Sequence, residues 1–202
     1  MTIKIEKFGE KISVKSPYHP MFADKIYAAG GLWEPSNRSW VIDAGSIDTV
    51  RQILRDVYYE DDFGGEKVDI RVTVGDISIN AFRDCFTLYG RVIATASLLD
   101  SEARLGEKAR FISGQPVSSR SARNMSISIT AGSVFEIYDV PVAALDAEIP
   151  KMSTLEGIQP LYSIDIISAT TPDDETLKAE RARLIARIAV IDETLTKNER
   201  TV

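Results

Sequence analysis

The chain of 202 residues holds one cysteine, Cys85, and one histidine, His19. A single cysteine excludes an internal disulfide framework and fits a reducing compartment, so a cytoplasmic location is expected. A single histidine excludes paired-histidine metal sites. It also leaves no Ser-His-Asp or Cys-His arrangement unless His19 carries it. Long apolar runs are missing as well: nothing approaches the roughly 18 residues of a membrane span. The opening "MTIKIEKFGEKISV" alternates apolar and charged residues and lacks the apolar block of a signal peptide. No Gly-rich loop ends in Lys-Ser/Thr, and no G-x-G-x-x-G occurs. A basic excess is absent too. The net charge is -6, and segments divided at Glu66 and Pro150 count to -3, -1 and -2. That weighs against a protein that coats DNA by neutralising phosphates.

Carboxylates alone could bind magnesium, so compact acidic sets matter. "YEDD" (59–62) reads as a solvated linker, and "DDE" (173–175) as the acidic first turn of a helix. Cys85 opens an apolar run and reads as a small buried hydrophobe. His19, beside a proline turn, reads as a surface or capping residue. The expectation is a protein that is not an enzyme, without metal or cofactor.

What is present has a clear order. "KISVKSP" (11–17) alternates as a strand, with Ile12 and Val14 on one side. Pro20 opens a helix carrying Phe22, Ile26 and Ala29, and Gly30-Gly31 stops it. "RSWVID" (38–43) is a second strand. Ile47, Val50, Ile53, Leu54 and Val57 then mark an amphipathic helix to about Tyr59. After "EDDFGGE" (60–66) come short alternating runs: "KVDIRVTV" (67–74), "CFTLYGRVIATASL" (85–98), "ARFIS" (109–113), "MSISIT" (125–130) and "SVFEIYDV" (133–140). The lone glycine of "YGRVIA" suggests a bulge, and "GQPVSSRSARN" (114–124) a long polar loop.

The expected fold class is therefore α+β: a β-α-β-α module over residues 1–62, then a mainly antiparallel β domain over 67–150, sheet or small barrel. Residues 151–202 add a strand, "LYSIDIIS" (161–168), and a C-terminal amphipathic helix. Thr171, Pro172 and Asp174 make its start signal. Leu177, Leu184, Ile188, Ile191 and Leu195 form an a/d seam, with Arg181 its polar member. So short a helix is marginal alone, and self-association or intramolecular packing would bury the seam.

Both tryptophans and the histidine fall within "SPYHPMFADKIYAAGGLWEPSNRSW" (16–40). Large rings are what a 50-residue module needs for a core, and also what single-strand binders use to stack bases. Trp40 alternates within a strand and reads as core. Trp33 follows a turn and fits either role. Tyr18, framed by Pro17 and Pro20, is the better stacking candidate.

"VKSPYHPMFADKIYAAGGLWEPSNRSWVID" resembles the small HARP-type module of some DNA-annealing helicases: strand, Pro-Tyr-x-Pro, helix, glycine turn, Trp33 and a strand carrying Trp40. It is also similar to the N-terminal module of a family of bacterial plasmid, phage and integrative-element proteins, which brings no activity to carry over. In that family, segments akin to "LYGRVIATASLLDSEARLGEKARFISG" and an Arg/Leu-rich C-terminal helix follow. The HARP resemblance implies nucleic-acid contact at single-strand/double-strand junctions. Here the sequence departs from it, because the segment up to Glu66 counts three more acids than bases.

The candidate nucleic-acid-binding set is Tyr18 and Trp33 for stacking, with Lys15, Lys25 and Arg38 for phosphates. Arg120 and Arg123, beside Arg110 and Lys108, lie in a stretch without an acid from 108 to 131. Ser118, Ser119 and Ser121 are hydrogen-bond donors in the same stretch. The function expected is a non-catalytic nucleic-acid-binding accessory protein of a bacterial mobile element. The alternative is an acidic anti-defence inhibitor, akin to an anti-CRISPR protein, that binds a host nucleoprotein effector in place of nucleic acid. Partners are thus DNA or a host protein complex, with a second copy through Leu184, Ile188, Ile191 and Leu195, and no membrane.

Overall fold

A computed structural model describes residues 2–81, 84–96, 103–120, 125–148 and 161–169, and near the C-terminus 178, 181–182, 184–189 and 191–192. The protein is a mixed α+β chain in which every strand pairing among the described residues is antiparallel. The chain divides into two compact units, Met1–Thr170 and Thr171–Val202.

The first unit opens with strands β1 (Lys4–Phe8) and β2 (Lys11–Lys15), helix α1 (Pro20–Ala28), and strands β3 (Leu32–Glu34) and β4 (Ser39–Asp43). A 3-10 turn (Ala44–Ser46) leads into helix α2 (Ile47–Tyr58). The sheet order is β1-β2-β4-β3. Ile12 faces Ile42 and Val14 faces Trp40 across β2 and β4, so alternation puts these side chains on one face. Phe22 and Ile26 of α1, with Val50, Ile53, Leu54 and Val57 of α2, cover that face and complete a core. The strand pattern of the sequence omits β1 and β3. Both are edge strands rich in charge or exposed side chains, where apolar alternation is weakest.

The β region comprises β5 (Lys67–Val74), β6 (Ile79–Ala81), β7 (Cys85–Leu88), β8 (Arg91–Thr95), β9 (Arg104–Leu105) and β10 (Ala109–Ser113). It continues with β11 (Pro116–Arg120), β12 (Met125–Ile129), β13 (Val134–Pro141), helix α3 (Val142–Ala147) and β14 (Tyr162–Ala169). Three sheets result, ordered β10-β13-β5-β14, β11-β12-β6 and β7-β8-β9, and no barrel closes among the described residues. Every second residue of β5, Val68 to Val74, enters a core with Phe135, Ile137, Val140 and Ile93. β14 lies beside β5 in the same sheet.

Two expectations are corrected here. Within the run 85–98, Cys85–Leu88 and Arg91–Thr95 are not one bulged strand but a hairpin, with Leu88 opposite Arg91. Tyr89 and Gly90, at φ 51° and 67°, supply the two left-handed positions of a type I′ turn. The polar stretch 114–124 is not all loop either. Pro116–Arg120 pairs along β12, and Ser118 is buried against it, because a small polar side chain fits a pleated face once the ladder satisfies its backbone.

In the second unit, residues 184–189 and 191–192 are helical. Leu184, Ile188 and Ile191 are exposed there, whereas Leu177 and Leu195 lie outside the described residues. Among the described residues no helix is long and apolar enough to cross a membrane.

Candidate nucleic-acid interface

Residues 16–19 join β2 to α1, and their geometry is set by Tyr58. Its hydroxyl donates to the Pro17 carbonyl at 2.6 Å and lies 3.3 Å from Ser16 Oγ. The Tyr58 ring sits between Phe22, 5.4 Å away, and His19, which meets it edge-on at 5.5 Å. His19 is thus not a surface residue but only 4% exposed. It occupies the N-cap position of α1, yet its imidazole caps nothing; its carbonyl accepts from Ala23 N instead. The ring goes inward because Pro20 starts the helix and the extended backbone at His19 turns alternate side chains to opposite sides. Tyr18 consequently faces out, 65% exposed, on a loop fixed at Pro17. Burial is the main cause that raises the Tyr18 phenol above its ordinary value, so its ring is neutral at physiological pH.

Burial, reinforced by the positive charge of Arg91, lowers the His19 imidazole to about 4. The unfolded chain takes up this proton near 6.5, and the folded chain resists until about 4. Stability is therefore full above pH 6.5 and falls as pH drops through that window. Since His19 is the only histidine, urea unfolding between pH 6.5 and 5 reports chiefly on it, with carboxylates entering toward the lower end. The expected slope should vanish in His19→Phe, and a flat wild-type profile would contradict the burial.

Trp33 lies on the edge strand β3, 49% exposed, opposite Trp40. Their ring centroids are 5.4 Å apart at 59°, and half-buried Trp40 packs on the module core. Trp33 therefore combines an exposed edge with a fixed backing. Lys15 ends β2, half-buried. Lys25 is committed to Asp56 at 3.0 Å. Arg38 is exposed in the turn before β4, at φ 49°. Arg120 closes β11 with its side chain undescribed, and Arg123 lies outside the described residues.

The acidic run after α2 is not a solvated linker. Glu60 is 8% exposed and Asp61 is also buried. Arg55 reaches Asp61 at 2.7 Å, and Arg51 grips Asp62 through two bonds at 2.9 and 3.1 Å while lying over the Phe63 ring. Carboxylates that would repel the C-terminal end of α2 are thus held by arginines of α2 itself. Glu60 turns the other way, toward the β region. One carboxylate oxygen accepts from Arg91 at 2.7 Å and the other from Lys67 at 2.7 Å. Arg91, only 6% exposed, also donates to the Asp139 and Gly90 carbonyls. The Asp139 carboxylate pairs with Lys108, whose ammonium is the chief reason its acid is held below the usual range.

These groups surround a cavity of about 430 Å³ within the first unit, lined also by Tyr18, Tyr58, Arg104 and Glu107. The cavity unites an aromatic rim with four basic side chains from separate segments. Of these groups, Tyr18 and Lys108 stand out in the sequence. Arg91 and Lys67 do not, because each sits in a run that reads simply as strand. Cys85 is buried, and burial pushes its thiol up to about 11, which leaves it inert as a nucleophile. Among the described residues no group of three or more His, Cys, Asp or Glu side chains could hold a metal ion.

No protein-family model, no curated protein and no solved structure matches this chain.

Proposed function

We propose that this chain is a non-catalytic nucleic-acid-binding protein that engages single-stranded segments, an accessory of a bacterial mobile element acting in the cytoplasm. One observation carries the reading: an exposed tyrosine, on a loop held by Tyr58, at the rim of a cavity with four basic side chains. Stacking on a neutral ring whose backbone is anchored next door is worth about 1–3 kcal/mol per base. Trp33 offers a second platform. The HARP-like reading of residues 1–62 belongs to this proposal, with β1 and β3 added to its β-α-β-α frame. So does a second copy joined through the exposed Leu184, Ile188 and Ile191.

Titrating the full chain with a fork-shaped oligonucleotide, followed by tryptophan fluorescence, tests the reading. Quenching is expected because Trp33 reaches solvent. Tyr18→Ala should weaken binding about tenfold, within the range of one lost stack. The salt dependence should be modest, since Lys25 is already paired and the four cations of the cavity face three carboxylates. An unresponsive spectrum at low salt would remove the proposal. The net charge of -6 favours a second reading, an anti-defence inhibitor seated in a basic groove of a host nucleoprotein effector. Oligonucleotides would then leave the fluorescence untouched, and binding to such an effector would be competed by its own nucleic acid.

A further inference from the structure

We propose that the cavity beside Tyr18 is an end-recognition pocket that takes the terminal phosphate monoester of a nucleic-acid strand. This rests on the nucleic-acid reading above and specifies which part of the strand is held. A volume of about 430 Å³ falls in the small-ligand range of roughly 300–1,000 Å³. It suits one terminal nucleotide rather than a strand running through.

The lining carries four cations, Lys67, Arg91, Arg104 and Lys108, against three carboxylates, Glu60, Glu107 and Asp139. A positive balance here stands out in a chain of net charge -6. The excess has a structural origin. The single carboxylate of Glu60 serves both Arg91 and Lys67, and Asp139 faces Lys108 with Lys67 and Arg91 near it, so three cations share two carboxylates. The charge is felt nearby, because Arg91 helps depress the imidazole of His19. Arg91 also keeps hydrogen-bonding capacity. A guanidinium has five N–H donors. Its bonds to Glu60, Asp139 and Gly90 use three, leaving two without a protein acceptor among the described residues. A buried arginine held rigidly on one edge, with donors to spare on another, is suited to a tetrahedral oxyanion. Arg104 on β9 has no ion-pair partner among the described residues and adds an exposed cation to the lining, where Glu107 is the remaining carboxylate. A phosphate monoester carries close to two negative charges at neutral pH, against one for each internal diester. The pocket therefore favours an end over the middle of a strand. Tyr18 at the rim is placed to stack the terminal base.

The test is fluorescence anisotropy of the full chain with one labelled single strand in three forms: 5′-phosphorylated, 3′-phosphorylated and with both ends hydroxyl. Tighter binding of one phosphorylated form by about tenfold is expected, the gain of one charge-assisted contact. Arg104→Gln should abolish that ratio. Its side chain is exposed, so the fold should be kept, which circular dichroism checks. Adenosine monophosphate in excess should displace the phosphorylated strand preferentially. Equal binding of all three forms would overturn end recognition and leave the nucleic-acid reading standing. Binding of none would overturn both.

Discussion

Arg91→Ala is expected to destabilise the protein by about 3–5 kcal/mol, the scale for removing one partner of a buried ion pair. Most of that loss comes from what stays behind. Glu60 is buried, and without Arg91 it keeps only Lys67. The Asp139 and Gly90 carbonyls lose a donor as well. Urea unfolding measures the change through the midpoint at constant slope. Lys25→Ala is the control, since the Lys25–Asp56 pair has the same kind of contact at 3.0 Å between two half-exposed side chains. It should cost under about 1 kcal/mol. Equal effects at the two sites would mean that Glu60 and Arg91 are hydrated, contrary to the account. Replacing both by apolar residues, Arg91→Met with Glu60→Leu, should recover only part of the stability, because Lys67 then loses its carboxylate. It should not recover binding.

Gly90→Ala should cost about 2–4 kcal/mol, from two causes that add. The residue sits at φ 67°, where an L side chain costs about 1–2 kcal/mol. A methyl group there would also lie 2.9 Å from Tyr58 Cα and 3.0 Å from its carbonyl carbon and oxygen. Backbone cannot give way as a side-chain tip can, so either the β7-β8 hairpin or the end of α2 must move. Since Tyr58 also anchors Pro17, the displacement should reach Tyr18 and weaken oligonucleotide binding. A variant that loses stability yet binds with unchanged affinity would break the proposed link between hairpin and loop.

The strongly periodic elements were legible in the sequence. Val50, Ile53, Leu54 and Val57 announce α2, and the alternation of 67–74 announces β5 with its bounds. The turn at Tyr89-Gly90 was not, because a lone glycine in an apolar run fits a bulge as well as a hairpin. Its meaning comes from Tyr58, a residue far away in the chain. The Ser-rich β11 was hidden for a related reason, as strand character there is conferred by pairing with β12. For the candidate site, the Pro-Tyr-x-Pro framing marked Tyr18 as a stacking candidate but not which way its ring faces, which the packing of its neighbours decides. The direction of His19 was missed, since nothing local reveals that Tyr58 offers it a packing surface. Glu60 and Arg91 meet across 31 residues of sequence, and each belongs to a stretch with an adequate local reading. A cavity built from such long-range pairs has no signature in any window of sequence.

In the proposed mode of binding, a nucleic-acid strand lies against Tyr18 and the cavity it borders. Photo-crosslinking a bromouracil-substituted single strand to the full chain, then locating the adduct by mass spectrometry, tests it directly. Adducts are expected at Tyr18 or Trp33, lost from the first site in Tyr18→Ala and reduced by unlabelled competitor. Adducts confined to other segments, or none at saturating strand, would contradict it.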